Sequence, residues 1–292
     1  MNTPSPSTNL RGRLNWTNLL FISTTHLLAI VAVVYLIAVR CSGWTIGLGV
    51  LWFALSGLAI TAGYHRLFAH RSYCAAGWLR FFYLMFGAAA VQNSAWAWSA
   101  DHRVHHAGTD QEQDPYNISR GFWWAHIGWV LYQDRDGEKV DLKGVKDLSA
   151  DPLILWQDRN YVLLAVIVCG LLPLALGFLW GDPIGALLVA GFLRLVIQWH
   201  ATFSVNSLAH WVGQRPYSLA TSARDSCLVA LVSLGEGYHN FHHRFQADYR
   251  NGVRWYHFDP TKWFVWSLAR LGGCWNLTRT PAAAIARARL TQ

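Results

Sequence analysis

The sequence predicts an all-α integral membrane protein, four transmembrane helices bearing a cytosolic helical cap. Three observations carry that expectation. Of 292 residues, 53% are hydrophobic and 14% charged, against about a quarter charged in ordinary soluble domains, and the mean hydropathy is positive. Four apolar runs each approach the roughly 20 residues a helix needs to cross the hydrocarbon core. Eight of the 13 histidines fall in three short clusters.

In chain order, 1–16 is a polar arm containing Arg11 and Arg13. The first apolar run, 17–39, lacks a small-residue cleavage site and reads as a retained span, not a signal peptide. After the break Arg40-Cys41-Ser42-Gly43, the second run covers 44–63. The third and fourth, 161–180 and 183–206, are separated by Gly181 and Asp182 alone. Two tight hairpins follow, 17–63 and 161–206. Nearly all basic residues lie in the arm, in 64–160 and in 207–292. The positive-inside rule therefore places both termini and both cap segments, 64–160 and 207–292, on the cytoplasmic side. A fifth apolar stretch, 79–98, would separate the histidines on its two sides if it crossed, so it belongs to the cap, in part embedded.

The 17 Trp and 11 Tyr suit a membrane–water boundary. The formal charge is +8, but the basic residues are scattered without a nucleic-acid motif. That charge fits anionic lipid, an anionic substrate head and an acidic redox partner better than nucleic acid. Cys41, Cys74, Cys169, Cys227 and Cys274 are widely spaced with no CxxC pair, so they read as free thiols.

The histidine clusters are His65-Arg-Leu-Phe-Ala-His70, His102-Arg-Val-His105-His106 and His239-Asn-Phe-His242-His243, with His210 four residues past Asn206. On an α-helix, i, i+3 and i+4 share a face. Each HxxHH group thus aims three imidazoles at one point, and Asn206 shares a face with His210. His65 and His70, five apart, cannot share an ideal α-helical face, which predicts that the helix ends or bends between them. Clustered imidazoles repel when protonated and need many partners when neutral, and a metal resolves both difficulties. Nine ligands exceed one tetrahedral site, so two metals with open positions fit, with Fe, Zn and Cu all compatible. His26, His126, His200 and His257 stand outside the set and read as hydrogen-bonded core or interface residues. The carboxylates Asp101, Glu112, Asp114 and Glu236 form no ExxH pattern. Asp101 is either a carboxylate orienting a ligand ring or a solvated helix-start residue.

HRLFAH, HRVHH and HNFHH resemble the three histidine boxes of the membrane acyl desaturases, in the stearoyl-CoA desaturase branch. The resemblance runs from Ala62 to Leu277. It extends to Thr109-Asp110, Asp114-Pro115-Tyr116-Asn117, the segment 120–129, the segment 203–210 ending Asn206-Ser207-Leu208-Ala209-His210, and Gly235-Glu236-Gly237-Tyr238 before the third box. The resemblance implies four membrane helices below a cytosolic cap with two irons (Fe2+). It implies ligation by His65, His70, His102, His105, His106, His210, His239, His242 and His243, with Asn206 reaching one iron through water. It further implies O2-dependent insertion of a cis double bond, delta-9 in the usual outcome, into a long-chain saturated acyl substrate.

That chemistry suits the target, since an unactivated methylene offers side chains no acidic proton or leaving group, whereas reduced iron with O2 attacks it. An apolar tunnel then selects the carbon. Trp96, Trp98, Trp123, Trp124 and Trp199 are candidate wall residues. The animal-type branch has Arg where this chain has Ala100, and a basic pair where it has Gln133-Asp134. With Arg120 and other basic residues present, acyl-CoA is the expected carrier, an acyl lipid or carrier-protein-linked chain the alternative. The sequence holds no fused b-type cytochrome domain or ferredoxin cluster, so a separate donor is expected: ferredoxin, rubredoxin or a b-type cytochrome with its reductase. A bacterial plasma membrane is the expected location, or the endoplasmic reticulum in a eukaryote. A fatty acyl hydroxylase would share the metal site. A metal transporter would place its ligands within the spans, whereas these lie outside the apolar runs.

Overall fold

A computed structural model describes residues 12–38, 42–133 and 142–290. Arg11, Arg40, Cys41 and Asp134 lie outside the described residues. Four helices are long and apolar enough to span a membrane: α1 (Trp16–Ala38), α2 (Gly43–Ala69), α6 (Tyr161–Trp180) and α7 (Pro183–His210). Between and after them lie α3 (Gly77–Ala89), α4 (Ala95–Ala107), α5 (Pro152–Arg159), α8 (Cys227–Val232), α9 (His239–Arg244), α10 (Pro260–Arg270) and α11 (Ala282–Leu290). Two short antiparallel ladders are added to the helical plan, β1 (Arg13–Leu14) with β3 (Tyr132–Gln133) and β2 (Cys74–Ala75) with β4 (Cys274–Trp275).

Local signals explain where the spans begin and turn. Ser42 caps α2 by accepting the Trp44 N–H at 3.2 Å, satisfying one orphan donor. Gly181 takes φ 75° to end α6, a conformation open to glycine at no steric cost. Asp182 then caps α7 through the Gly185 N–H at 2.9 Å and accepts the hydroxyls of Tyr35 at 2.7 Å and Thr45 at 2.5 Å. One carboxylate thereby ties the far ends of α1, α2 and α7. Along α1, Leu20, Leu27, Ile30 and Ile37 are exposed, an apolar face that lipid would cover.

Two spans outrun their apolar sequences. α2 passes at Ala59 into a π-helical segment that reaches Ala69, every residue of it buried. α7 continues through Asn206 to a 3-10 turn at Leu208–His210. Polar residues extend these helices because neighbouring cap elements, not lipid, surround them. The stretch 79–98 is not one helix. It breaks at 90–94, where Val91 (φ 49°) and Asn93 (φ 81°) enter the left-handed region. The carbonyls freed at this break are taken by α7: Arg194 donates to Ala89 O at 2.9 Å and Trp199 Nε1 to Ala90 O at 3.0 Å, which answers the need of a helix C-terminus for donors.

α2 and α3 cross where each offers a glycine to the other's tyrosine. A Cβ on Gly63 would lie 2.6 Å from Tyr83, and one on Gly87 would lie 2.3 Å from the Tyr64 ring. Tyr64, Leu79, Tyr83, Leu84, Ile154 and Val265 build the main core around this crossing. Asp151 and Pro152 start α5, whose Gln157 donates to Tyr64 Oη at 2.7 Å and accepts the Ala95 N–H at 3.0 Å. The start of α4, which carries the second histidine cluster, is thereby fixed to this core.

Candidate metal centre

The nine clustered histidines converge from α2, α4, α7 and α9 in two adjacent groups. His65, His70, His102, His106 and His242 form one, His105, His210, His239 and His243 the other, with one ligand atom from each ring within 4.8 Å of the rest of its group. The expectation that each HxxHH segment aims at one point is corrected. His102 and His106 face the first group and His105 the second, while His242 joins the first and His239 and His243 the second. Both helices run between the two centres, so rings at i+3 and i+4 fall to either side.

The HxxxxH spacing is resolved by the π-helix. His70 N–H donates to His65 O at 3.1 Å, an i to i+5 bond, and the ring centroids lie 4.8 Å apart. The wider π turn stacks residues five apart, which an α-helix would separate. The helix does end between the two histidines, at Ala69 with His70 as its C-cap, and before that end its winding changes from α to π.

Carboxylates orient the rings. Glu236 accepts His65 Nδ1 at 2.8 Å and Asp114 accepts His105 Nδ1 at 2.8 Å. His210 Nδ1 meets Ser222 Oγ at 2.7 Å, and Ser222 donates to Asp110 at 2.6 Å. Such partners fix ring orientation and tautomer in metal sites. Arg66, on the same π turn as His65, is fully buried and bonds Glu236 at 2.9 Å and Asp259 at 3.0 Å. Asn251 also donates to Glu236, at 2.6 Å. Burial raises the Glu236 carboxyl, but His65 and Arg66 outweigh it and bring the group down to about 2. Asp101 does not orient a ring. Burial pushes it up to about 6, and it lies on the wall of the cavity described below.

The residues fit metal ions. With Nδ1–H given to Glu236, Asp114 and Ser222, the Nε2 lone pairs of His65, His105 and His210 point inward. His65 Nε2 lies 3.0 Å from His242 Nε2, His70 Nε2 2.8 Å from His102 Nε2, and His239 Nε2 3.1 Å from His210 Nε2. Burial first, and the neighbouring rings second, push His102, His106, His239, His242 and His243 toward the neutral form. Neutral nitrogens crowded together in a dry interior are a ready donor set for Fe, Zn or Cu. Among the described residues, Nδ1 of His106 and of His242 has no hydrogen-bond partner, so no Nδ1 bond orients these two rings.

A cavity of about 480 Å³ runs from the histidines between α1, α2 and α7, a volume suited to a small-molecule site. His65, His102, His105 and His239 face it, with Asn206 beside them. Trp98, Asp101 and Trp199 line it, Trp98 stacking on His102 at 5.0 Å. Trp96, Trp123, Trp124 and Arg120 lie off its wall. Two residues from Trp98, Trp96 points to the opposite face of α4 and donates to Ser149 at 3.0 Å. Trp123 is 73% exposed, and Arg120 stacks on Trp124 at 4.1 Å. The sequence did not single out Gln92, whose amide donates to Thr202 at 2.9 Å, nor Ile22, and it marked Phe203 only as part of the 203–210 segment; all three are on the wall. No spacing marks these three; the folding of α1 and α7 around the 90–94 turn brings them together.

The profile of the fatty acid desaturase family matches residues 42–274. The chain belongs to the fatty acid desaturase family. It is 43% identical over 92% of its length to a protein of Schizosaccharomyces pombe named probable acyl-CoA desaturase. Over 83% of its length it is 42% identical to acyl-CoA desaturase 1 of Saccharomyces cerevisiae. With human stearoyl-CoA desaturase it shares 37% identity, covering 92% of this chain and 76% of that one. This desaturase-family chain spans 55% and 48% of the two yeast relatives. All nine histidines fall inside the matched segment. Cys74, Cys169, Cys227 and Cys274 are free thiols, as their spacing predicts.

Proposed function

We propose that the chain is an O2-dependent fatty acyl desaturase that inserts a cis double bond, delta-9 in position, into a long-chain saturated acyl group carried on CoA. The observation that carries this reading is the cavity. Its sides are mostly apolar and aromatic, and four histidines of the two groups face it, so an alkyl chain within it passes the centre. The names of the relatives support CoA as the carrier.

The nine histidines are the proposed ligands of two Fe2+ ions, with Asn206 reaching one through water. Bound there, iron with O2 would supply an oxidant able to take hydrogen from an unactivated methylene. The balance is one saturated bond, O2, two electrons and two protons giving one double bond and two waters. Electrons come from a separate donor protein, and the cap faces the cytoplasm, in a bacterial plasma membrane. The chain's own part is positioning. Trp98 and Trp199 confine the alkyl chain, the Gln92–Thr202 bond crosses the wall beside Trp199, and the dry surroundings keep water from the reacting carbon.

Expression in a desaturase-deficient host, with double-bond location in the extracted fatty acids and His105→Ala as control, tests this. The expected result is a new cis-monoene absent from the control. Hydroxy acids in its place would move the chain to the hydroxylase reading. No product from folded, iron-loaded protein with a working donor would sink it.

A further inference from the structure

Three histidines outside the metal centre form one hydrogen-bonded chain. His26 on α1 sits roughly three turns into its span and donates from Nδ1 to Ile22 O at 2.7 Å. Its Nε2 lies 3.0 Å from His200 Nε2 on α7. His200 Nδ1 lies 3.0 Å from His126 Nε2, in the π turn Trp124–Gly128. His126 Nδ1 lies 2.9 Å from Ser207 Oγ, which donates to Phe203 O at 2.8 Å. The chain therefore ends on a backbone carbonyl, a pure acceptor, at both ends.

Counting hydrogens exposes a deficit. Five bonds join Ile22 O to Phe203 O, and each needs one hydrogen. Three neutral imidazoles bring one each and the Ser207 hydroxyl brings one, four in all. A neutral chain must leave one joint with two acceptors facing each other at bonding distance, whereas one added proton fills every joint. Burial first and His200 second push the His126 ring toward neutrality, while a backbone hydrogen bond to Phe203 opposes them. Against this stands an empty joint between half-buried rings, where opposed lone pairs are costly and charge-assisted bonds are favoured.

We propose that His26, His200, His126 and Ser207 constitute a proton-binding clasp, which holds one shared proton and fastens α1 and the 124–128 turn to α7. The joined elements carry the cavity wall: Ile22 on α1, Trp199 and Phe203 on α7, and Trp129 just past the turn. The three rings of the clasp lie outside both histidine groups, and Ser207 adjoins Asn206 in sequence. The rings' aromatic neighbours are Trp199, Phe122, Trp123 and Phe203. Among the described residues no carboxylate, lysine or arginine pairs with any of the three rings. The proton is therefore held by the chain's own bonds. Half-buried rings give it access from outside, while Ser207 at 0% exposure closes the inner end.

Shortening the chain at either end removes the deficit. Ser207→Ala leaves three rings for three bonds, and His26→Leu leaves two rings and a hydroxyl for three bonds. Ser207→Thr keeps the hydroxyl and the deficit. Nitrogen-15 spectra of histidine rings, taken on the full chain loaded with diamagnetic Zn(II), count imidazolium at neutral pH. The expected result is one imidazolium in the wild type and in Ser207→Thr, lost in both Ser207→Ala and His26→Leu. Thermal melting adds a second reading. A shared proton stabilises while bound, so the wild-type melting temperature falls as pH rises through its release, and the two shortened variants lose that slope. An imidazolium that persists in both variants, or none in the wild type, overturns the proposal. So does a metal ion bound between His26 and His200, seen as one extra Zn(II) per chain that His26→Leu removes.

Discussion

Glu236 does two things with one carboxylate, receiving His65 on one oxygen and Arg66 on the other. Glu236→Gln keeps the shape but loses the charge that fixes His65 and partly neutralises Arg66. Loss of such a partner costs roughly 10–100-fold in metal affinity, read as metal retained against graded chelator. Retention equal to wild type would show that packing alone orients His65. Asp114→Asn should give a similar loss, confined to the group that His105 joins. Asp259, buried and bonded to Arg66, to the Asn251 and Gly252 N–H groups and to the Lys262 N–H, touches no ligand. Its substitution by Asn should therefore lower stability more than it lowers the metal affinity of the protein that folds.

At the scale of the helix, the π segment Ala59–Ala69 carries the widest consequence. A π turn costs backbone geometry and appears mostly at functional sites. Here it sets His65 beside His70 and leaves Arg66 facing Glu236. Inserting one alanine after Phe68 would set the two histidines six apart, a spacing that neither an α- nor a π-helix places on one face. Metal content of the first group should collapse, while Leu271→Ala at an exposed surface position should not affect it. The α2–α3 crossing gives a second test. Gly87→Leu would force a side chain into Tyr64, and overpacking of this kind costs about 1–3 kcal/mol. A clear fall in melting temperature is expected, and an unchanged one would mean that α3 shifts freely.

The molecule as a whole should lose its metals in acid before it unfolds. Burial keeps the centre's rings neutral, so protons taken up below their ordinary range near 6.5 compete directly with metal. Those rings are protonated more readily once unfolded, so acid favours unfolding across that range too. Glu236 acts lower down. Its folded value of about 2 against an ordinary 4.5 means that its stabilisation is complete above 4.5 and is lost as pH falls toward 2. Metal content followed against pH, with a spectroscopic fold probe, should show metal release at the higher pH and unfolding at the lower. Coincident transitions would mean that the metals hold the cap together.

Much of this was legible from the residues. Apolar runs of membrane-crossing length, broken by Gly181-Asp182, gave the hairpins, because a lipid-facing helix must be apolar along its length whatever it packs against. Histidine spacing marked the centre, because few other arrangements tolerate nine clustered imidazoles. Two things were decided by tertiary structure. Whether His65 and His70 share a face depends on π winding, which the buried surroundings of α2 impose and no local propensity encodes. Which carboxylate orients which ring, and that His26, His126 and His200 meet end to end, depends on bringing together residues as much as 174 positions apart. Spacing along the chain reports neighbours on one element, whereas a network among four elements exists only once they are packed.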